Sequence, residues 1–154
     1  NVDLFRGDRN AIVAIGYSVG AFHLASSLAH QALRVQNSVL AGVVLVSGLY
    51  RIGTHSSAAV KAYIGNDPRN YPGRSICPGI LFVNTPVVLA WSVHDPDHVL
   101  SESEELNRLI CEARRGFCPR TAILQSQGSL TTVLDLLGEP ILSLVREIEA
   151  RGLP

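Results

Sequence analysis

Ser18 stands at the centre of Gly16-Tyr17-Ser18-Val19-Gly20, a serine bracketed by glycines two positions away on either side. That spacing suits a sharp turn in which the serine backbone is strained and its hydroxyl stands clear, available as a nucleophile. The two glycines would let neighbouring backbone pass close by. The amide of Val19, at the start of a following helix, would point toward negative charge developing on an attacked carbonyl oxygen. The five-residue pattern alone is weak, and its context strengthens it: an apolar run ends directly before Gly16 and a helical pattern starts directly after Ser18. An ordinary glycine-rich turn between a strand and a helix is the plain alternative. A dinucleotide site does not fit, because no G-x-G-x-x-G is present.

A second group with chemical potential is His94-Asp95-Pro96-Asp97-His98, just past another apolar run. Histidine and aspartate together can bind metal, but this stretch reads as a loop without helical spacing to converge its ligands, so no metal site is expected. Of the remaining histidines, His23 and His30 fall along the helix after Ser18, and His55 lies in a polar segment that fixes no position for it. Cys77, Cys111 and Cys118 form no C-x-x-C pair and are too few for a disulfide framework. They read as free thiols in a reducing compartment, hence a cytoplasmic protein.

Short β-rich runs alternate with helical patterns, which predicts βα units and a parallel sheet. Residues 11–15 form the first run, followed by Ala21, Leu24, Ala25, Leu28 and Ala32, a spacing that lays one apolar stripe along a helix. Residues 39–46 are apolar throughout, as a strand buried on both faces requires. A polar, Gly/Pro-rich excursion spans 48–84, with one helix expected near 56–64. A third strand is expected at 86–93. Ser101 and Glu104 then have capping-box spacing for a helix whose buried face is Leu106, Leu109, Ile110 and Ala113. A short fourth strand is expected at 121–124. Pro140 suits the first position of a last helix, with Ile141, Leu144, Val145 and Ile148 along its stripe. If the strands lie in sequence order, right-handed crossovers put the three connecting helices on one face, and only the last helix covers the other.

The chain has 154 residues, 47% hydrophobic and 17% charged, with 13 basic and 13 acidic side chains in balance, so it reads as one globular domain over 1–154. No basic stretch exceeds two residues, which gives no footing for nucleic acid or membrane surfaces. The longest apolar runs fall short of the ~20 residues a membrane-spanning helix needs. The first residues contain neither a signal-peptide core nor an initiator methionine, so the chain is expected to start inside a longer one or to have been trimmed.

Gly16-Tyr17-Ser18-Val19-Gly20-Ala21-Phe22-His23 resembles the G-H-S-A-G-A-H-L form of carboxylesterases and arylformamidase-like members of the α/β-hydrolase superfamily. Gly7-Asp8-Arg9-Asn10 is similar to the G-G-D-P segment those enzymes carry before the same strand. Ser47-Gly48-Leu49-Tyr50 resembles their S-G-x-Y, and Pro86 to Asp97 resembles the segment that brings in the acid of their triad. The resemblance implies a partial α/β-hydrolase fold, equivalent to the C-terminal half of that family. The implied fold is a parallel sheet of about four strands with flanking helices, and 48–84 would serve as a cap or excursion. It further implies Ser18 as nucleophile, Val19 as one oxyanion amide, and Asp95 as the acid, with Asp97 as runner-up. The reaction implied is hydrolysis of a small carboxylic ester or aryl amide through an acyl-enzyme, without metal or organic cofactor.

Two departures qualify this expectation. The stretch matching the family's G-H-x-H reads Gln125-Ser126-Gln127-Gly128-Ser129, so Ser129 stands where the catalytic histidine belongs. A serine hydroxyl cannot serve as general base at neutral pH. His98 is a substitute, although a triad acid normally orients a histidine from another loop. The family's early strands and glycine-rich loop also have no counterpart here, which would leave the strand before Ser18 as an apolar edge. The chain alone is therefore expected to be inactive and to form a homo-oligomer or pair with a complementing N-terminal half. The alternative is a catalytically dead binding module or a truncated hydrolase fragment.

Overall fold

The computed structural model describes residues 7–8, 11–33, 40–54, 56–115, 118–125 and 146. Four parallel strands lie in sequence order: β1 (Ile12–Tyr17), β2 (Leu40–Val46), β3 (Val87–Ser92) and β4 (Arg120–Leu124). Between them run α1 (Val19–Ala29), α2 (Ala58–Ile64), α3 (Tyr71–Arg74) and α4 (Asp97–Ala113), with a 3-10 turn at Gly79–Phe82. The α/β class and the four-strand parallel sheet are as the sequence predicts.

The unbroken apolar runs of β2 and β3 have a direct structural cause. Both strands are central, so alternate side chains enter two separate cores. Val43, Leu45, Val87, Leu89 and Trp91 face Ala21, Ala25 and Leu28 of α1 and Leu106 and Ile110 of α4. Val44, Val46, Val88 and Ala90 point the other way, with Leu124, and are equally buried. The outer strands are only partly covered: Ile15 on β1 and Ile123 on β4 are exposed. Among the described residues β1 is an edge, with β2 as its one partner.

α1 and α4 lie on the same face, as right-handed crossovers demand. The middle connection behaves differently from the expectation. Its helix forms at Ala58–Ile64, with the Ser57 hydroxyl accepting from the Val60 amide, but among the described residues its one buried hydrophobic, Ile64, packs outside both cores. Ile76 and Ile80, on and before the 3-10 turn, cover the sheet there instead.

Three further sequence readings need correction. α4 starts a turn earlier than Ser101, directly after Pro96, because the proline's fixed φ and the acidic Asp97 in the first turn suit a helix start. Ser101 then lies inside the helix and donates to the His98 carbonyl. α1 stops at Ala29, since His30 turns to an extended conformation, so Ala32 falls beyond the stripe. Cys111 and Cys118 are not free thiols; they form a disulfide across the end of α4, leaving Cys77 free. The last helix after Pro140 lies outside the described residues. No described helix is long and apolar enough to cross a membrane.

Candidate active site

The turn from β1 into α1 holds Ser18 at φ 52°, ψ −118°, a conformation that L side chains rarely adopt. Three backbone hydrogen bonds keep it there. The Ser18 amide donates to the Val46 carbonyl at 2.9 Å, extending the β1–β2 pairing by one residue. The Ser18 carbonyl accepts from Ala21 at 3.1 Å and Phe22 at 3.3 Å, starting the helix. Gly16 is indispensable to this turn: a Cβ there would lie 2.5 Å from the Gly20 carbonyl oxygen and 2.8 Å from the Ala21 backbone. Gly20 is different. A Cβ at that position meets nothing within 4 Å, so the expectation that both glycines admit close backbone is half right. Val19 opens α1 and is exposed, with an amide that has no partner within the helix.

Asp95 sits past the end of β3, half-buried. Its Oδ2 accepts from the Ser47 hydroxyl at 2.6 Å and from the Ser92 amide at 2.8 Å, while the Asp95 amide donates to the Ser92 carbonyl at 3.1 Å. Asp97 is exposed in the first turn of α4. The two aspartates therefore stand in unlike surroundings, and only Asp95 is fixed by neighbouring elements. Ser47, in sequence only one member of the Ser47-Gly48-Leu49-Tyr50 motif, holds the Asp95 carboxylate. It is buried at the tip of β2, has a positive φ of 48°, and its amide donates to the Ala90 carbonyl at 2.8 Å. That backbone turn aims the hydroxyl across to β3.

The rest of Ser47-Gly48-Leu49-Tyr50 is equally constrained. A Cβ at Gly48 would lie 2.4 Å from the Tyr50 ring, so glycine makes room for that buried aromatic. Burial pushes the Tyr50 hydroxyl well above the usual tyrosine range. Glu102 of α4 accepts the amides of Tyr50 at 2.5 Å and Arg51 at 2.9 Å on one carboxylate oxygen. No sequence signal pointed to Glu102, because the contact spans about fifty residues.

Ser18, Ser47 and Asp95 all follow the C-terminal ends of adjacent parallel strands. With neighbouring strands about 4.8 Å apart, the tips of β1 and β3 are separated by roughly 9–10 Å, with β2 between them. Beside Val19 opens a cavity of 370 Å³, walled mainly by Phe22, Leu49, Ile52, Val60, Tyr63 and Ile64. Its lining is apolar except at Arg51 and Ser57. A smaller cavity of 290 Å³ lies between Arg51, Ser56, Glu102 and His98.

None of the described histidines bonds to Ser18 or Asp95. His23 pairs with the Tyr63 hydroxyl, its ring edge-on to the tyrosine at 5.6 Å between centroids. His94 is exposed and uses its amide on the Ser92 hydroxyl at 3.1 Å. His98 is exposed in the first turn of α4, in the wall of the smaller cavity, a wall that does not include Ser18. The stretch 94–98 is thus half loop and half helix, correcting its reading as a loop. His55 and Ser129 lie outside the described residues.

No family model and no curated protein matches this sequence. Solved structures do match it. A puromycin hydrolase superposes over 99% of this chain and 24% of its own, at 21% identity and a TM-score of 0.65. An acylaminoacyl peptidase from Pyrococcus horikoshii covers 82% of this chain and 21% of its own, at 17% identity and a TM-score of 0.59. An α/β-hydrolase from Vibrio vulnificus covers 92% and 51%, at 17% identity and a TM-score of 0.57.

The chain has a partial α/β-hydrolase fold.

At these identities the likeness establishes the fold and nothing finer. The chain spans from about a fifth to a half of the length of the structures it matches. Those neighbours are by name a peptidase and hydrolases.

Proposed function

We propose that the chain is the nucleophile-bearing part of a serine hydrolase that transfers the acyl group of a small carboxylic ester or aryl amide to water. The observation that carries this reading is the positive-φ backbone of Ser18 at a strand-to-helix turn, held by three backbone hydrogen bonds and by backbone packed so close at Gly16 that a Cβ has no room. Strain of this kind, worth about 1–3 kcal/mol, persists only where surrounding structure enforces it. In the proposed reaction Ser18 Oγ attacks the substrate carbonyl carbon, its proton passes to a base, and the Val19 amide donates to the resulting oxyanion. The ester alcohol or aryl amine leaves with a proton, and water then releases the acid from Ser18. Asp95, oriented by Ser47, is the acid that would hold an imidazolium. One imidazole with a hydrogen bond of about 2.8 Å at each ring nitrogen would bridge the gap between the tips of β1 and β3. The apolar cavity beside Val19 would take the acyl chain or the aryl leaving group. The segment 48–84, which supplies most of its wall, would act as a cap.

None of the described histidines bonds to Asp95, and this favours a second reading: a binding module that keeps the scaffold without turnover. A fluorophosphonate probe separates the two. The turnover reading expects a covalent adduct at Ser18 that Asp95→Asn slows, and the binding reading expects no adduct under conditions that label a reference serine hydrolase. Strong labelling that is lost in His98→Ala would identify His98 as the base and displace Ser129 from consideration.

The exposed edge of β1 is where a second copy or a complementing N-terminal half would pair. A cytoplasmic location is part of the same reading and requires that the Cys111–Cys118 pair be reducible there, because cytosolic glutathione and thioredoxin keep such pairs as thiols. Lysis in an alkylating medium, with the pair found fully oxidised, would place the protein in an oxidising compartment instead.

A further inference from the structure

We propose that the His23–Tyr63 hydrogen bond is a latch: it holds α2 over the apolar cavity beside Val19 and so sets how fast small apolar molecules enter and leave. The inference deepens the proposed function, because it rests on reading that cavity as a binding site. Val60, Tyr63 and Ile64, spaced i, i+3 and i+4, share one face of α2 and wall the cavity, and Phe22 of α1 belongs to the same wall. The apolar face of α2 is thus turned to a hollow and not to packed side chains. At 370 Å³ that hollow falls within the roughly 300–1,000 Å³ of small-ligand pockets.

Little else fastens α2. Its one buried hydrophobic among the described residues, Ile64, lies outside both cores, and α2 packs only weakly on every other element. Two of its side-chain bonds are local: the Ser57 hydroxyl caps its first turn, and Lys61 Nζ donates to the Thr54 carbonyl at 2.5 Å. At its far end Gly65 takes a positive φ of 96°, a conformation open to glycine. Among the described residues, the bond between His23 Nε2 and the Tyr63 hydroxyl is then the one side-chain hydrogen bond tying α2 to another helix or strand. An element with so few buried apolar contacts detaches at low free energy, and its seven residues are too few to persist as a free helix. The latch lies at the surface, with Tyr63 58% exposed, so both groups meet water when it opens. Breaking it therefore costs only the net strength of an ordinary hydrogen bond. Because Tyr63 is also cavity wall, its partner on α1 fixes where that wall sits.

The probe is N-phenyl-1-naphthylamine, an uncharged fluorophore with no ester or amide bond for Ser18 to cleave, mixed with the full chain in a stopped-flow instrument. In Tyr63→Phe the ring stays and only the hydroxyl goes. Association and dissociation rates are both expected to rise about fivefold, the worth of one ordinary hydrogen bond, with Kd changed by less than about twofold. His23→Ala is expected to raise both rates in the same way. The double variant should be no faster than His23→Ala alone, because the two substitutions remove one bond between them. A wall residue without a latching role would instead change Kd through the dissociation rate alone. That pattern, unchanged rates in both variants, additive effects in the double variant, or no saturable rise in fluorescence would each overturn the assignment. Fluorophosphonate labelling of Ser18 reports on turnover independently, so the latch and the turnover reading fail separately.

Discussion

The two glycines of the Ser18 turn should respond to the same substitution with opposite signs. In Gly16→Ala the new Cβ falls 2.5 Å from the Gly20 carbonyl oxygen, roughly 0.8 Å inside the ~3.3 Å at which carbon and oxygen normally meet. The other near atoms, Ala21 N and Cα at 2.8 Å, are also backbone, so no flexible side chain can move aside. Relief requires β1 and the start of α1 to separate, which breaks the bonds Ser18 makes to Val46 and Ala21. Overpacking typically costs 1–3 kcal/mol, and with only backbone to displace, a loss of about 3 kcal/mol is expected here. Gly20→Ala meets nothing within 4 Å, has no positive φ to oppose it, and lies in the first turn of α1. Alanine is a better helix former there, so a gain of about 0.5–1 kcal/mol is expected. Urea unfolding followed by the fluorescence of Trp91, the sole tryptophan and buried against the core, measures both. Equal destabilisation by the two substitutions would refute the argument, since it would mean that Gly20 too is closely packed.

Ser129→His should raise fluorophosphonate labelling of Ser18 if that position faces the turn as the family pattern implies, and unchanged labelling would remove Ser129 from the proposed site. Glu102→Ala removes the shared acceptor of the Tyr50 and Arg51 amides; at about 1.5–3 kcal/mol for hydrogen bonds to a charged group, a comparable loss in urea unfolding is expected, and a change under 0.5 kcal/mol would show that water replaces the carboxylate at no cost. Thiol counting on the unreduced, denatured chain should give one thiol, Cys77, and three after reduction; three at the outset would deny the Cys111–Cys118 bond. Burial holds the Cys77 thiol above its ordinary pKa of 9.0, so it should alkylate more slowly in the folded chain, and its contribution to stability, present below that value, should fade as pH rises through the folded pKa. Analytical ultracentrifugation should show the isolated chain as a dimer or larger, through the β1 edge, and a folded monomer at micromolar concentration would contradict that pairing.

The parallel sheet and the position of Ser18 between strand and helix were legible in the sequence because local pattern carries them, whereas the sequence order of the strands, only a premise there, is fixed by their pairing. Doubly buried strands must be apolar throughout, a helix on a sheet must carry an apolar stripe, and a Gly-bracketed serine between the two has few places to go. Other features depend on residues far apart in the chain. Ser47 is one member of a short motif until the β2–β3 pairing brings it against Asp95, which at the same time separates Asp95 from Asp97 as the held carboxylate. Glu102 belongs to a helix face that reads as solvent until the loop after β2 folds onto it. The pairing of Cys111 with Cys118 depends on how the chain turns back after α4, and the freedom of Gly20 on what lies outside the turn. Sequence pattern reports the face a residue presents to its own element. Which partner meets that face is decided by tertiary packing, because the elements that supply the partner are separated along the chain by tens of residues and meet only when the sheet assembles.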